Sequence, residues 1–144
     1  MIRATDSSRA AAGKTSERES LRRRVRKMSE WFNGERFDKC FTLVDPGLRN
    51  QGKVDPEKYR QSLTAFKSAY GAIRPWYVRI SLHLDASSNK HDHRPFAFVY
   101  IVWQDEANDF HMFRERWVKE SGHWFTRVAG LMTYDEPKPA KRSR

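Results

Sequence analysis

The apolar residues of this 144-residue chain change their spacing once, near Gly71. Before Gly71 they recur every three or four positions, which is the spacing of one face of an α-helix. After Gly71 apolar and polar residues alternate, which is typical of strands with one buried face. A helical half followed by a half of consecutive strands predicts an α+β fold, with the helices on one face of an antiparallel sheet.

Three helices are predicted before Gly71. The first begins at Ser16, three residues before Glu19, which is the spacing of a capping box. It ends at Asn33-Gly34, because both residues tolerate the left-handed conformation that often follows a helix. The face that it buries contains Leu21, Val25, Met28 and Phe32.

The second helix is predicted to end at Asp45-Pro46, since a residue before proline avoids the helical region. Residues 47–53 form a loop that could contain a short strand. The third helix begins at Asp55-Pro56, an N-cap residue followed by a proline, and ends at Gly71. The buried faces of these two helices contain Phe37, Cys40, Phe41 and Val44, and Tyr59, Leu63, Phe66 and Tyr70.

Four strands are predicted after Gly71, over residues 76–85, 95–103, 109–119 and 123–133. The segment 95–103, PFAFVYIVW, is apolar on both faces, which indicates a central strand covered on both sides. Helices can cover only one side of a single sheet. We therefore predict a two-fold homodimer that packs through the outer sheet face.

The last two strands are predicted to form a hairpin with a three-residue loop that ends at Gly122. This register places Trp117 opposite Phe125 and Glu115 opposite Arg127, two favourable cross-strand pairs. A two-residue loop would instead place Arg116 opposite Arg127, which is unfavourable.

The formal net charge of +10 is concentrated near the two ends. Residues 1–30 account for +5 and residues 135–144 for +2. We predict a disordered basic leader over residues 1–15, a single domain over 16–134 and a disordered basic tail over 135–144. Such tails could bind nucleic acid weakly, but the interleaved signs elsewhere favour an ordinary solvated surface.

Cys40 is the single cysteine, so the chain has neither an internal disulfide nor a cysteine-based zinc site. One thiol fits a reducing compartment. No apolar run approaches the length of a membrane span, and the first residues lack the apolar segment of a secretory signal. These features predict a cytoplasmic protein with no membrane partner. No phosphate-binding loop or other cofactor motif is present, so we expect no cofactor.

The order of elements resembles the nuclear-transport-factor-2-like superfamily of cystatin-like α+β rolls. The resemblance lies in EWFNGERFDKCFTLVDP, DPEKYRQSLTAFKSAYG and RERWVKESGHWFTRV, and it covers about residues 16–133. It implies three N-terminal helices packed on a curved four-stranded antiparallel sheet, with a cone-shaped pocket and commonly a dimer. The superfamily contains steroid isomerases, polyketide cyclases, dehydratases and transport adaptors, so the fold does not name the chemistry.

Candidate catalytic residues follow from the resemblance and from strand alternation. Isomerase members carry a tyrosine on the first helix, where this chain has Trp31 and Phe32 instead. A dehydratase-like mechanism would use His111 as a general base beside Glu115, with Arg127 across the hairpin. The alternative interpretation is a charge network on a surface or at a dimer interface. The same alternatives apply to a second polar face, which contains Arg79, His83 and Asp85.

A ligand pocket is predicted from the large aromatic residues Trp31, Tyr59, Phe66, Trp76 and Tyr100, although such residues are more often plain core. His91 and His93 flank Asp92 at a spacing that can bind a metal, but an exposed loop is the favoured interpretation and no metal site is predicted.

These observations favour a non-catalytic module that binds a small apolar ligand or a protein. The alternative is a cofactor-free lyase or isomerase of the dehydratase or polyketide-cyclase kind. Weak nucleic-acid binding through the basic tails comes third. The choice depends on which sheet face turns toward the helices.

Overall fold

The computed structural model describes residues 2–85 and 93–127, with side chains from residue 12 onward. Within these residues, four helices come before a four-stranded antiparallel sheet of strand order β1-β2-β3-β4. The α+β class is therefore confirmed. The elements are α1 (Ile2–Asn33), α2 (Phe37–Phe41), α3 (Pro46–Asn50), α4 (Pro56–Tyr70), β1 (Arg74–His83), β2 (Phe96–Gln104), β3 (Phe110–Glu120) and β4 (His123–Thr126).

The helices cover one face of the sheet, and the core lies between them. In β2, alternate residues from Ala97 to Trp103 are buried against the predicted helix faces, which include Leu21, Phe32, Leu63 and Phe66. The register places Trp103 opposite His111 and Val99 opposite Glu115, so His111 and Glu115 face the helices. Phe110 and Met112 lie on the other side, which we call the outer face.

Helix α1 begins at Ile2, well before the predicted start at Ser16. The backbone of residues 2–15 is helical, which differs from the disordered leader that we predicted. The segment Ala10–Ala12 explains the difference locally, because alanine has the highest intrinsic helix propensity and no proline interrupts it. The predicted tail, residues 135–144, lies outside the described residues.

Asp45-Pro46 begins a helix, whereas the predicted end of the second helix at this pair is wrong, because α2 already ends at Phe41. Asp45 is the N-cap of α3 and its Oδ1 accepts a hydrogen bond from the Gly47 N–H at 3.0 Å. This is the same N-cap and proline signature that correctly predicted the start of α4 at Asp55-Pro56. The predicted loop with a short strand is therefore wrong, since residues 46–50 are helical.

The predicted register of the last hairpin is also wrong. Ser121 and Gly122 form a two-residue loop with φ of 53° and 81°, and Glu120 pairs with His123. Arg127 consequently lies opposite Arg116, and its N–H donates to the Arg116 carbonyl at 2.7 Å.

Burial of two tryptophans explains the observed register. Trp117 and Trp124 are both buried on the helix side, and the Trp124 Nε1–H donates to Glu17 of α1 at 3.0 Å. The three-residue loop would have placed these two rings on opposite faces. Burying a large side chain contributes roughly 1.5–3 kcal/mol, more than the 0.2–1 kcal/mol of one cross-strand pair.

Candidate functional site

Arginines and aromatic residues alternate across the middle of the outer face. Tyr100 of β2 lies directly between Arg79 of β1 and Arg114 of β3. In the next row, Phe98 lies between Ser81 and Arg116. We call these six residues the arginine–aromatic rows.

Each arginine of these rows lies over a ring. The guanidinium carbon of Arg79 is 5.6 Å from the centre of the Tyr100 ring. The corresponding distance is 4.7 Å from Arg114 to Phe98 and 4.3 Å from Arg116 to Phe96. Cation–π contacts of this length hold the guanidinium groups above the sheet, where they can meet a ligand.

No carboxylate neutralises these three arginines within the described residues, because none of the ion pairs found there includes Arg79, Arg114 or Arg116. Glu120, at the end of the same face, accepts a hydrogen bond from Arg94 at 2.8 Å. The Nε of Arg116 is buried and has no hydrogen-bond partner there. Among the described residues, the positive charge of the rows is therefore not compensated by a carboxylate.

A groove of about 450 Å³ lies on these rows, lined by Arg79, Ser81, Phe98, Tyr100 and Arg114. Ligand pockets typically have volumes of about 300–1,000 Å³. The groove therefore has room for a nucleotide-sized group, and its lining includes two arginines and two aromatic residues.

One end of the outer face carries large exposed apolar side chains. Trp76 is 58% exposed, Tyr77 47%, Phe110 49% and Met112 64%. Trp76 lies at a register shift between Pro75 and Tyr77, and its ring is 4.8 Å from the Phe110 ring. Single exposed apolar residues are ordinary, but a contiguous group of this kind marks an interaction surface. We call these four residues the aromatic end.

His111 pairs with Asp105 and not with Glu115. The His111 Nε2 is 2.8 Å from Asp105 Oδ2, and the imidazole packs against the rings of Phe66 and Tyr70 at 5.1 and 4.3 Å. Asp105 Oδ1 also accepts the N–H groups of Ala107 and Asp109, each at 2.9 Å. The hydrogen bond from His111 lowers the pKa of Asp105, and the two backbone N–H groups lower it further, against the opposing effect of burial.

Glu115 is buried in the core, where its Oε1 accepts a hydrogen bond from the Trp117 Nε1–H at 2.9 Å. Tyr59 lies nearby. Burial raises the pKa of Tyr59 well above its usual value, and the charges of Cys40 and Glu115 raise it further. Burial and the charge of Asp38 raise the pKa of Cys40 to about 12, so this thiol is a poor nucleophile.

Arg127 points to a different part of the molecule. Its Nη1 is 3.7 Å from Oδ2 of the buried Asp45. The proposed constellation of His111, Glu115 and Arg127 is therefore not assembled, because the corrected register separates Glu115 from Arg127 and Asp105 holds His111.

The five residues predicted to line one pocket lie in three places. Tyr59 and Phe66 are buried in the core, and Trp31 packs at its edge under the ammonium of Lys27. Trp76 and Tyr100 lie on the outer face. Among them, only Tyr59 lines a groove of about 430 Å³ between α2 and α4, together with Phe37, Asp38, Phe41, Asp55, Pro56, Glu57 and Arg60.

Sequence reasoning missed Arg114, Arg116, Phe110 and Met112 as site residues. Alternation already placed all four on one face of the third strand, and Arg79 was noted on its own strand. The sequence did not reveal the strand register, which brings Tyr100 between Arg79 and Arg114.

Comparison with family models, with curated proteins and with solved structures gives no match for this chain. The resemblance to the nuclear-transport-factor-2-like superfamily therefore stays a prediction. Within the described residues, no group of three or more His, Cys, Asp or Glu side chains could hold a metal ion. His91 and Asp92 lie outside those residues. None of the helices in the described part of the chain has the length and hydrophobicity needed to cross a bilayer.

Proposed function

We propose that this protein is a non-catalytic binding module that holds single-stranded nucleic acid on the outer face of its sheet. The observation that carries the proposal is the position of Tyr100 between Arg79 and Arg114, with no carboxylate paired to either arginine in the described residues. The sequence pattern favoured other ligands because the net charge lies mainly near the chain ends, whereas the arginines of the sheet become one surface only on folding.

The arginines match the chemistry of the nucleic-acid backbone. Guanidinium groups bind phosphate through two parallel hydrogen bonds, and they are more weakly hydrated than ammonium groups. Arg79, Arg114 and Arg116 supply three such groups on adjacent rows. An anionic chain that crosses the sheet would release counterions at each contact.

The rings match the chemistry of the bases. Unpaired bases stack on aromatic side chains and on guanidinium planes, with about 1–3 kcal/mol per base. Trp76, Tyr77 and Phe110 are about half exposed, so their rings are accessible. Duplexes keep their bases stacked inside the helix and would not use these rings, which favours a single strand.

The homodimer predicted through the outer face competes for the same surface. A two-fold axis through the rows would bring Arg79, Arg114 and Arg116 of two copies together, and like charges oppose such an interface. The homodimer stays a prediction, and an oligonucleotide that binds the rows should dissociate it.

The lyase or isomerase alternative required His111 beside Glu115. Because His111 is bonded to Asp105 at 2.8 Å, we do not propose catalysis at this pair.

The test is fluorescence anisotropy with a labelled RNA of about 12 nucleotides, a length within the site sizes of known single-strand-binding modules. The test variant is Arg79→Gln/Arg114→Gln. The matched control is Lys39→Gln/Lys58→Gln, which removes the same charge from exposed positions on α2 and α4.

We expect the arginine variant to lose at least about tenfold in affinity and the lysine control to change by less than about twofold. The slope of log affinity against log salt should fall by about 1.4 in the arginine variant, or about 0.7 for each lost phosphate contact. Equal losses of affinity in both variants would show that binding depends only on the net charge of the protein and not on the arginines of the rows. No binding by the wild type would reject the proposal, and a dimer that RNA does not dissociate would assign the face to self-association.

A small apolar ligand is a second candidate, favoured by the groove between α2 and α4. Phe37, Phe41 and Tyr59 give that groove apolar walls, and Phe41 and Tyr59 pack edge to face at 5.2 Å. A hydrophobic fluorescent dye should bind there and lose most of its signal in Phe41→Ala. Trp76→Ala, on the outer face, is the control. An equal loss of signal in both variants would contradict binding in the groove.

A further inference from the structure

A second basic groove lies where α1 packs beside β1. It has a volume of about 240 Å³, and its lining includes Arg22 and Arg26 from α1 and Trp76 and Tyr77 from β1. The two aromatic residues also belong to the aromatic end of the outer face. They therefore connect this groove to the arginine–aromatic rows.

The two arginines of α1 are available to a ligand. Arg26 is exposed, and none of the ion pairs found in the described residues includes it. Arg22 has one weak partner, Glu19, at 3.8 Å, and both side chains are more than a third exposed. Val25 between them is fully buried, so the helix presents Arg22 and Arg26 at the seam while its apolar face packs on the core.

β1 is an edge of the described sheet, so no neighbouring strand separates the outer face from this seam. Trp76 is the residue at which the register shifts, between the pairs Pro75–Trp103 and Tyr77–Val102. Such bulges commonly redirect a side chain at a sheet edge. Here the Trp76 ring contacts Phe110 on the outer face while the same residue lines the seam groove.

We propose that a single strand bound on the arginine–aromatic rows continues around the β1 edge, over Trp76 and Tyr77, with its phosphates on Arg22 and Arg26. This inference rests on the proposed function. Only a flexible anionic chain fits both surfaces at once. A small anion occupies one groove, and a planar membrane cannot follow the turn from the outer face to the seam between α1 and β1.

The test compares two RNA lengths. An oligonucleotide of about 4 nucleotides, the lower end of known site sizes, can fill the rows alone, whereas one of about 12 nucleotides can also reach the seam. The test variant is Arg22→Gln/Arg26→Gln. The matched control is Arg18→Gln/Arg23→Gln, which removes the same charge from the same helix but not from the groove lining.

We expect Arg22→Gln/Arg26→Gln to weaken the longer RNA by about tenfold and to leave the shorter RNA within about twofold. The control should bind both lengths like the wild type. Two results would contradict the path around the β1 edge: equal effects of the two double variants, or a wild-type affinity that does not depend on RNA length. In either case the rows would remain a binding site. Failure of both lengths to bind the wild type would instead reject the proposed function itself.

Discussion

Arg94 donates two hydrogen bonds to Asp45, from Nη1 at 2.7 Å and from Nη2 at 2.9 Å. Asp45 is fully buried, caps α3, and lies next to Val44, which forms a parallel bridge with Thr126 of β4. The pair therefore joins three distant parts of the chain. Burial favours the neutral acid, but the hydrogen bonds from Arg94 and Gly47 and the charge of Arg127 outweigh it, so the pKa of Asp45 is lowered.

Asp45→Asn should destabilise the fold by about 2–4 kcal/mol, because it removes the buried carboxylate that pairs with Arg94 and Arg127, although Arg94 keeps its hydrogen bond to Glu120. Asparagine is an equally good N-cap, so the loss reports the ion pair and not the start of α3. Urea unfolding measures the change. Asp38→Asn, at an exposed position, should cost less than about 0.5 kcal/mol, and similar losses in the two variants would contradict the assignment.

The Asp45 pair should also make stability depend on pH. Because the pKa of Asp45 is lowered in the folded state, its carboxylate adds to the free energy of unfolding at pH values above its unfolded-state pKa of about 3.9. This contribution disappears as the pH falls through the folded-state pKa. Wild type should therefore lose stability more steeply than Asp45→Asn below about pH 4. Parallel curves for the two proteins in thermal melts at several pH values would show that Asp45 has no such role.

Ser121→Asn should stabilise the β3–β4 hairpin by about 0.5 kcal/mol. Ser121 has a φ of 53°, a conformation that asparagine adopts more readily than serine in a two-residue turn. Gly122→Ala should act in the opposite direction, with a loss of about 1 kcal/mol, because Gly122 has a φ of 81°. Thermal melts compare the three proteins, and a destabilised Ser121→Asn would argue for the three-residue loop.

Glu115→Gln should leave the nitrogen-15 chemical shifts of the His111 imidazole unchanged. The His111 Nε2 contacts Asp105 at 2.8 Å, whereas Glu115 accepts from Trp117. Nitrogen-15 NMR of the imidazole is the measurement, and Asp105→Asn is the positive control that should move both ring resonances. Movement of those resonances in Glu115→Gln would restore the His111–Glu115 pair and the enzyme alternative.

Tyr59→Phe should be neutral or stabilising, by up to about 1 kcal/mol, since the described residues offer the buried Tyr59 hydroxyl no hydrogen-bond partner. The pKa of Tyr59 is raised in the folded state, so ionisation of this tyrosine favours unfolding. The contribution of its raised pKa to folding stability is complete below the unfolded-state pKa of about 10 and is lost as the pH rises through the folded-state pKa.

Tyr59→Phe should therefore gain stability relative to the wild type above about pH 10. Tyr77→Phe, at a half-exposed position, is the control for tyrosine ionisation in general. Urea unfolding at pH 8 and pH 10.5 gives the comparison. A loss of more than about 1 kcal/mol in Tyr59→Phe at pH 8 would mean that the hydroxyl has a partner after all.

Elements whose signals are local could be predicted from the sequence alone. The stripe from Leu21 to Phe32, the Asp55-Pro56 start and Gly71 end of α4, and the alternation of the later strands all depend on neighbours a few residues apart. Those signals were sufficient for the α+β class. They also placed a buried central strand close to the observed β2.

The register and the site could not be predicted from local patterns, because both depend on contacts between distant residues. The Arg116–Arg127 pairing looked unfavourable on its own, yet it allows Trp117 and Trp124 to be buried together and brings Arg127 near Asp45. In the same way, Tyr100 reaches Arg79 and Arg114 only through two strand pairings. A one-residue slip moves every side chain of a strand to the other face, so the burial of the whole core, and not any local pair, fixes which residues meet on the surface.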